Sequence, residues 1–196
     1  AFLSVGALPA LAQLQTYTQL PNRIEGDNPG KIEVVEFFHY GCPHCRAFEP
    51  LVAEWNKKLP DDVVLRLVPT IWNGQLRELA RLYYTIEATG HYQTLHSKVF
   101  TAVQDQRRPL HTPDGVRDWL GGFPEVDAAA FMDVYSSFSM NAKLQRAEQQ
   151  ARAYQIRGVP TMVVDGLYAT SASLTGSHEA TLLQVNELIE RVRNAR

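Results

Sequence analysis

The hydrophobic pattern divides the chain into a strand-rich start, a long helical middle and a short strand–helix end. Gln15 to Leu20 reads as a short first strand, and Pro21 to Gly30 as a polar loop. Ile32 to Phe38 (IEVVEFF) is apolar and β-branched, the pattern of a strand buried on both faces. From Cys42 to Leu59 the residues Phe48, Leu51, Val52, Trp55 and Leu59 fall at helical spacing. Lys57 and Lys58 suit the C-terminal end of that helix, Pro60 lies just beyond it, and Pro50 inside it predicts a kink. Val63 to Val68 reads as a second buried strand. Strand, helix and strand at this spacing predict a right-handed parallel βαβ unit.

Roughly residues 75 to 154 change period. Leu76, Leu79, Ala80, Tyr83 and Ile86 recur at helical spacing, as do Tyr92, Leu95, Val99 and Phe100, then Phe131, Val134 and Phe138, then Leu144, Ala147, Ala151 and Tyr154. Gly90, Pro109, Pro113, Gly121-Gly122 and Pro124 punctuate the stretch. This predicts four to five helices and no strand. Strand signals return at Thr161 to Val164, with Asp165-Gly166 as a two-residue hairpin turn and Leu167-Tyr168 opening the return strand. Leu182, Val185, Ile189 and Val192 then line one face of a last helix, which Ser177 caps. The expected fold class is α/β, with an all-helical segment inserted between two strand-bearing parts.

Composition narrows the function. Across 196 residues, 19 Lys+Arg against 21 Asp+Glu give a formal charge of −2, which disfavours an electrostatic grip on nucleic acid. Hydrophobic residues make up 45%, so the chain can build a core without disulfide or metal staples. No apolar run reaches the roughly 18 residues of a membrane-spanning helix. Ala1 to Ala12 (AFLSVGALPALA) is apolar, uncharged and small-residue rich, and ends on an A-x-A pattern. It reads as the remnant of a signal peptide, with a mature start near Gln13 and an exported product.

The two cysteines, Cys42 and Cys45, sit two residues apart where a buried strand gives way to a helix. A bridge between them closes too short a loop to constrain the unfolded chain much, so it is a poor structural staple. The position suits chemistry instead. Free N–H groups at a helix start carry partial positive charge, so a thiolate at Cys42 is stabilised and becomes the nucleophile. Pro43 fits the first helical position, where a missing N–H costs nothing. His44 can add positive charge or donate a hydrogen bond to the Cys42 sulfur. A stabilised thiolate favours the reduced form and makes the disulfide a stronger oxidant, by about 30 mV for each unit of thiol pKa. The alternative is half a zinc site, with His39 and His44 completing it. No second C-x-x-C exists, and His44 inside the pair gives poor tetrahedral geometry.

The run VVEFFHYGCPHCRAFEP, the distant GVPTMVVDG and the helical stretch between them resemble the DsbA family of exported thiol–disulfide oxidoreductases of Gram-negative bacteria. The likeness covers essentially the whole mature chain. It implies a thioredoxin-like domain over residues 13–72 and 156–196, interrupted by a helical domain over 73–155, after a signal remnant at 1–12. It implies a periplasmic dithiol oxidase that passes its Cys42–Cys45 disulfide to unfolded or folding exported proteins with free thiols. A DsbB-like membrane quinone reductase would reoxidise it; no organic cofactor or metal is needed, and a monomer is expected. Pro160 matches a cis-proline beside the C-x-x-C, with Val159 as its specificity-tuning neighbour, the two together holding the substrate strand. Glu36 matches a buried acid beneath the active site, a proton acceptor for Cys45. The period-two rule places it with Ile32, Val34 and Phe38, where a carboxylate is costly unless paired or protonated. The family pairs this acid with a lysine on the next strand. Here VVLRLVP offers only Arg66, which does not release a proton usefully, so Arg66 either holds Glu36 ionised or points elsewhere.

Two rival readings follow from the same residues. An isomerase or reductase is one, although isomerases of this compartment add a dimerisation domain, and only roughly 20 residues separate Gln13 from the first strong strand. A peptide-binding chaperone module is the other. His39, His91, His96, His111 and His178 carry no motif and read as surface or packing residues. The run Gln104-Asp105-Gln106-Arg107-Arg108 reads as a solvated loop.

Overall fold

The computed structural model describes residues 15–196, so the reading of Ala1 to Ala12 lies outside the described residues. One sheet of five strands organises the chain: β1 (Thr18–Gln19), β2 (Ile32–Phe38), β3 (Val63–Pro69), β4 (Thr161–Val164) and β5 (Tyr168–Thr170), in the order β1-β5-β4-β2-β3. β2 and β3 are parallel and joined through helix α1 (Pro43–Asn56), while β4 runs antiparallel to β2 and to β5. Between β3 and β4 lie α2 (Gly74–Ala88), α3 (Tyr92–Gln104), α4 (Pro113–Leu120), α5 (Ala128–Tyr135) and α6 (Phe138–Ala153). After β5 come α7 (Ala172–Thr175) and α8 (His178–Ala195).

All seven residues of β2 are buried, because it is central and both faces are covered. Ile32 and Val34 face Phe48 and Val52 of α1 and Leu182, Val185 and Ile189 of α8. Val35 and Phe37 face Ala147 and Ala151 of α6 together with Tyr154. Each such apolar side chain contributes about 1.5–3 kcal/mol by leaving water, so β2 is the spine of the domain. A third cluster joins Phe38, Tyr40 and Cys45 to Leu82, Leu95, Val99, Phe100 and Phe131 of the helical region. The reactive motif therefore stands at the seam between sheet and helices.

Several expectations need adjusting. β3 is an edge strand, and four of its seven residues are only half-buried. The first strand is two residues long rather than six, since only Thr18 and Gln19 pair with β5. The α1 helix ends at Asn56, and Leu59 packs below it from the following loop. Pro50, where a kink is expected, lies inside this one helix. The β4–β5 turn holds three residues rather than two, because Val164 pairs with Tyr168. Asp165 and Gly166 both take positive φ, 53° and 63°. A Cβ on Gly166 would meet the Ile24 carbonyl oxygen at 1.8 Å, so glycine is required there by close approach as well as by φ.

Candidate active site

The site begins with the cap of α1. Cys42 is the N-cap residue, in extended conformation (φ −91°, ψ 117°), and Pro43 opens the helix as the sequence suggests. The Cys42 sulfur accepts a hydrogen bond from the Cys45 amide at 3.2 Å, as a capping side chain would. Cys45 is fully buried one turn on, and Cys42 is nearly so. Both are unbridged thiols.

Electrostatics separate the two sulfurs. The Cys42 thiol is pulled down to about 6, first by the hydrogen bond that the Cys45 thiol donates to it, against the opposing effect of burial. The backbone amides of Cys45 and His44 and the charge of the His44 imidazole lower it further. His44 thus acts through its amide and its charge, while its ring is exposed to solvent. Cys45 is pushed far up, by burial first, then by its bond and charge interaction with Cys42. At neutral pH one sulfur is a thiolate and the other a thiol, so the first is the leaving group or nucleophile.

Across the mouth of the site, the Cys42 sulfur stands 3.6 Å from the carbonyl oxygen of Val159. The Val159–Pro160 peptide bond is cis. An open groove of about 790 Å³ runs from His44 past Val159 and Pro160, floored by Leu20, Tyr154, Ile156 and Leu174. It has the size and apolar character for an extended peptide. His178, at the start of α8, stacks on Phe48 at 4.9 Å and lies 6.3 Å from the His44 ring.

Glu36 lies on the other side of the reactive helix. It is 3% exposed, and its carboxyl is pushed up to about 8 by burial, then by the charges of Glu49 and Cys42. The Glu36 side chain therefore does not reach solvent. It lines a cavity of about 370 Å³ shared with Glu49, Tyr92 and His96. Arg66 does not meet it. In the parallel register Arg66 pairs with Val35, and Leu67 pairs with Glu36. Arg66 therefore points to the opposite face, where it binds Glu33 at 2.9 Å and Gln150 at 3.2 Å. Glu33 is itself buried, and it alternates with Val35 and Phe37 on an apolar face, which is its one mark in the sequence.

The expected solvated loop also needs correction. Asp105 to Arg108 are exposed, but Gln104 ends α3, and its amide nitrogen reaches the carbonyls of Tyr40 and Cys42 at 2.8 and 3.0 Å. Gln104 lies four residues after Phe100, so helical spacing carries it onto the same face as that buried ring. Among the described residues, no group of three or more His, Cys, Asp or Glu side chains gathers as a metal site would require.

Residues 58–184 match the family model described as a DSBA-like thioredoxin domain. The chain is 41% identical to the thiol:disulfide interchange protein DsbA of Azotobacter vinelandii over 179 residues, covering 91% of this chain and 83% of that protein. It is 43% identical to the Bordetella parapertussis protein of the same name over 180 residues, with 91% and 85% covered. The crystal structure of Pseudomonas aeruginosa DsbA superposes with a TM-score of 0.89 at 39% identity, covering 92% of this chain and 94% of that one. The fold, the C-x-x-C at a helix start and these likenesses converge: the chain belongs to the DSBA-like thioredoxin family and is a thiol–disulfide oxidoreductase of the DsbA type.

Proposed function

We propose that this oxidoreductase works in the periplasm of a Gram-negative bacterium, passing its Cys42–Cys45 disulfide to exported proteins that arrive with free thiols. The observation that carries the proposal is the asymmetry of the two sulfurs, one pulled down to about 6 and the other pushed far up. A substrate thiolate attacks the Cys42 sulfur, forming a mixed disulfide and releasing the electron pair to Cys45. Because Cys45 strongly favours its protonated state, it takes up a proton, and Glu36 is the acid beneath it that supplies one. A second substrate thiolate attacks the substrate sulfur of the mixed disulfide. Cys42 then leaves as a stabilised thiolate, the substrate is oxidised by two electrons, and the enzyme is reduced.

His44 and Pro43 act through the helix start: Pro43 sets it, and His44 lends its amide and its charge. Val159 and Pro160 hold the substrate strand beside the sulfur, and the Val159 carbonyl 3.6 Å away sets how closely it approaches. In the return reaction the Cys42 thiolate attacks a disulfide of the electron acceptor and forms a mixed disulfide; Cys45 then loses its proton to Glu36 and attacks the Cys42 sulfur, and the acceptor's thiolate leaves. A DsbB-like membrane quinone reductase is the acceptor for those electrons, and the chain works as a monomer with no organic cofactor.

The test is oxidation of a reduced, unfolded two-cysteine protein by stoichiometric oxidised enzyme, with Cys42→Ala beside it. Wild type forms the substrate disulfide and Cys42→Ala does not. Equal yields from both would leave only a peptide-binding role for the groove.

A further inference from the structure

Helix α3 is aimed at the turn between β2 and α1. Its Leu95, Val99 and Phe100 are buried with Phe38 and Tyr40, which brings its last residue over the reactive motif. There the Gln104 side-chain nitrogen donates to the Tyr40 carbonyl at 2.8 Å and to the Cys42 carbonyl at 3.0 Å. A primary amide carries two N–H groups, so one nitrogen serves both oxygens at once. Tyr40 is 1% exposed, so its carbonyl has little access to water. The Cys42 carbonyl also accepts the first helical bond, from the Arg46 amide at 3.1 Å. The next residue, Asp105, grips the Arg46 guanidinium through two bonds of 2.5 and 2.6 Å. The end of α3 thus holds the segment from Tyr40 to Arg46 at both of its ends.

We propose that Gln104 is a positioning residue for thiol–disulfide exchange: it locks the Tyr40–Cys42 turn so that the His44 and Cys45 amides converge on the Cys42 sulfur. The inference rests on the oxidase reading above and adds a specific task for the helical region. Those amides point at the sulfur only while Cys42 keeps its extended cap geometry, and that geometry includes the direction of its carbonyl. Donating to both carbonyl oxygens also withdraws negative charge from the vicinity of a developing thiolate. Gln104 touches neither sulfur, so it acts through the backbone it holds.

Gln104→Met keeps the length of the side chain and its helix preference but removes the donor. The Cys42 titration, followed by thiolate absorbance in the reduced protein, is expected to move up by roughly half a unit to one unit. The equilibrium with glutathione should move three- to tenfold toward the oxidised protein, by about 1.4 kcal/mol per tenfold. Gln104→Glu sets a carboxylate against the same two oxygens, so its shift should exceed that of Gln104→Met; it also serves if the Met variant does not fold. A residue that only supports the fold would lower the melting temperature of both redox forms alike and leave their ratio unchanged. Wild-type titration and equilibrium in the variants would overturn the proposal, as would a smaller shift in Gln104→Glu than in Gln104→Met. Each variant is scored against wild type, whereas the oxidase reading stands or falls on the wild-type equilibrium itself.

Discussion

Glu36 and Leu67 are partners across the β2–β3 ladder, so the position facing the buried acid is an apolar side chain, while Arg66 faces away. The carboxyl is left without a cationic neighbour and is raised to about 8. The folded state therefore binds this proton more tightly than the unfolded chain does. Its stabilising effect is complete below 4.5 and is lost as pH rises through about 8. Glu36→Gln should remove that slope and gain stability over wild type above pH 8, on the order of a few kcal/mol. Chemical denaturation of the reduced form at pH 5 and pH 8.5, variant against wild type, checks it. Equal losses at both values would contradict the assignment.

A charge placed at the partner position should reverse the effect. Leu67→Lys puts an ammonium opposite Glu36, so the carboxyl should titrate well below its wild-type midpoint. Carboxyl carbon chemical shifts followed across pH read this directly. The pH dependence of reoxidation should move down with it. An unchanged Glu36 midpoint would show that the two side chains do not meet.

The ranking of forces on Cys42 gives three further variants. The hydrogen bond from Cys45 comes first, and the His44 charge comes last. Cys45→Ala should therefore raise the Cys42 titration more than His44→Ala does, while Cys45→Ser, which keeps an O–H donor, should fall between Cys45→Ala and wild type. Thiolate absorbance of the reduced proteins measures all three. A larger effect from His44→Ala would move the origin of the acidity from the donors to the imidazole.

His96 offers a prediction about acid stability. It is buried, stacks on Tyr92 at 4.4 Å, and shares a 2.8 Å hydrogen bond with the Tyr40 hydroxyl. Burial lowers it to about 3, so it stays neutral in the fold and charges readily only in the unfolded chain. Its contribution is fully present above 6.5 and is lost as pH falls toward 3. His96→Gln should flatten the stability profile over that window by an amount on the order of a few kcal/mol. A wild-type slope in the variant would contradict this.

The legible parts of the sequence were those with a local cause. IEVVEFF is buried on both faces because its residues are apolar at both parities, and the Cys42-Pro43 cap follows from helix-end chemistry. Ser177 caps α8 through the Ala180 amide, as its position predicts. What could not be read depends on register and on long-range packing. Arg66 and Leu67 differ by one position, and a one-residue change in pairing sends a side chain to the opposite face. Gln104 lies 62 residues from Cys42, so nothing local marks it except its place one helical turn after Phe100. The short β1 is similar: only the two residues that meet β5 count as strand.

The most direct test of thiolate stabilisation as the source of oxidising power is the equilibrium of the Cys42–Cys45 pair against a graded glutathione series, read by thiol alkylation. A thiol pulled down to about 6 predicts a disulfide far easier to reduce than that of glutathione. A disulfide that persists against excess reduced glutathione would contradict it and would make the protein a reductase despite its CPHC motif.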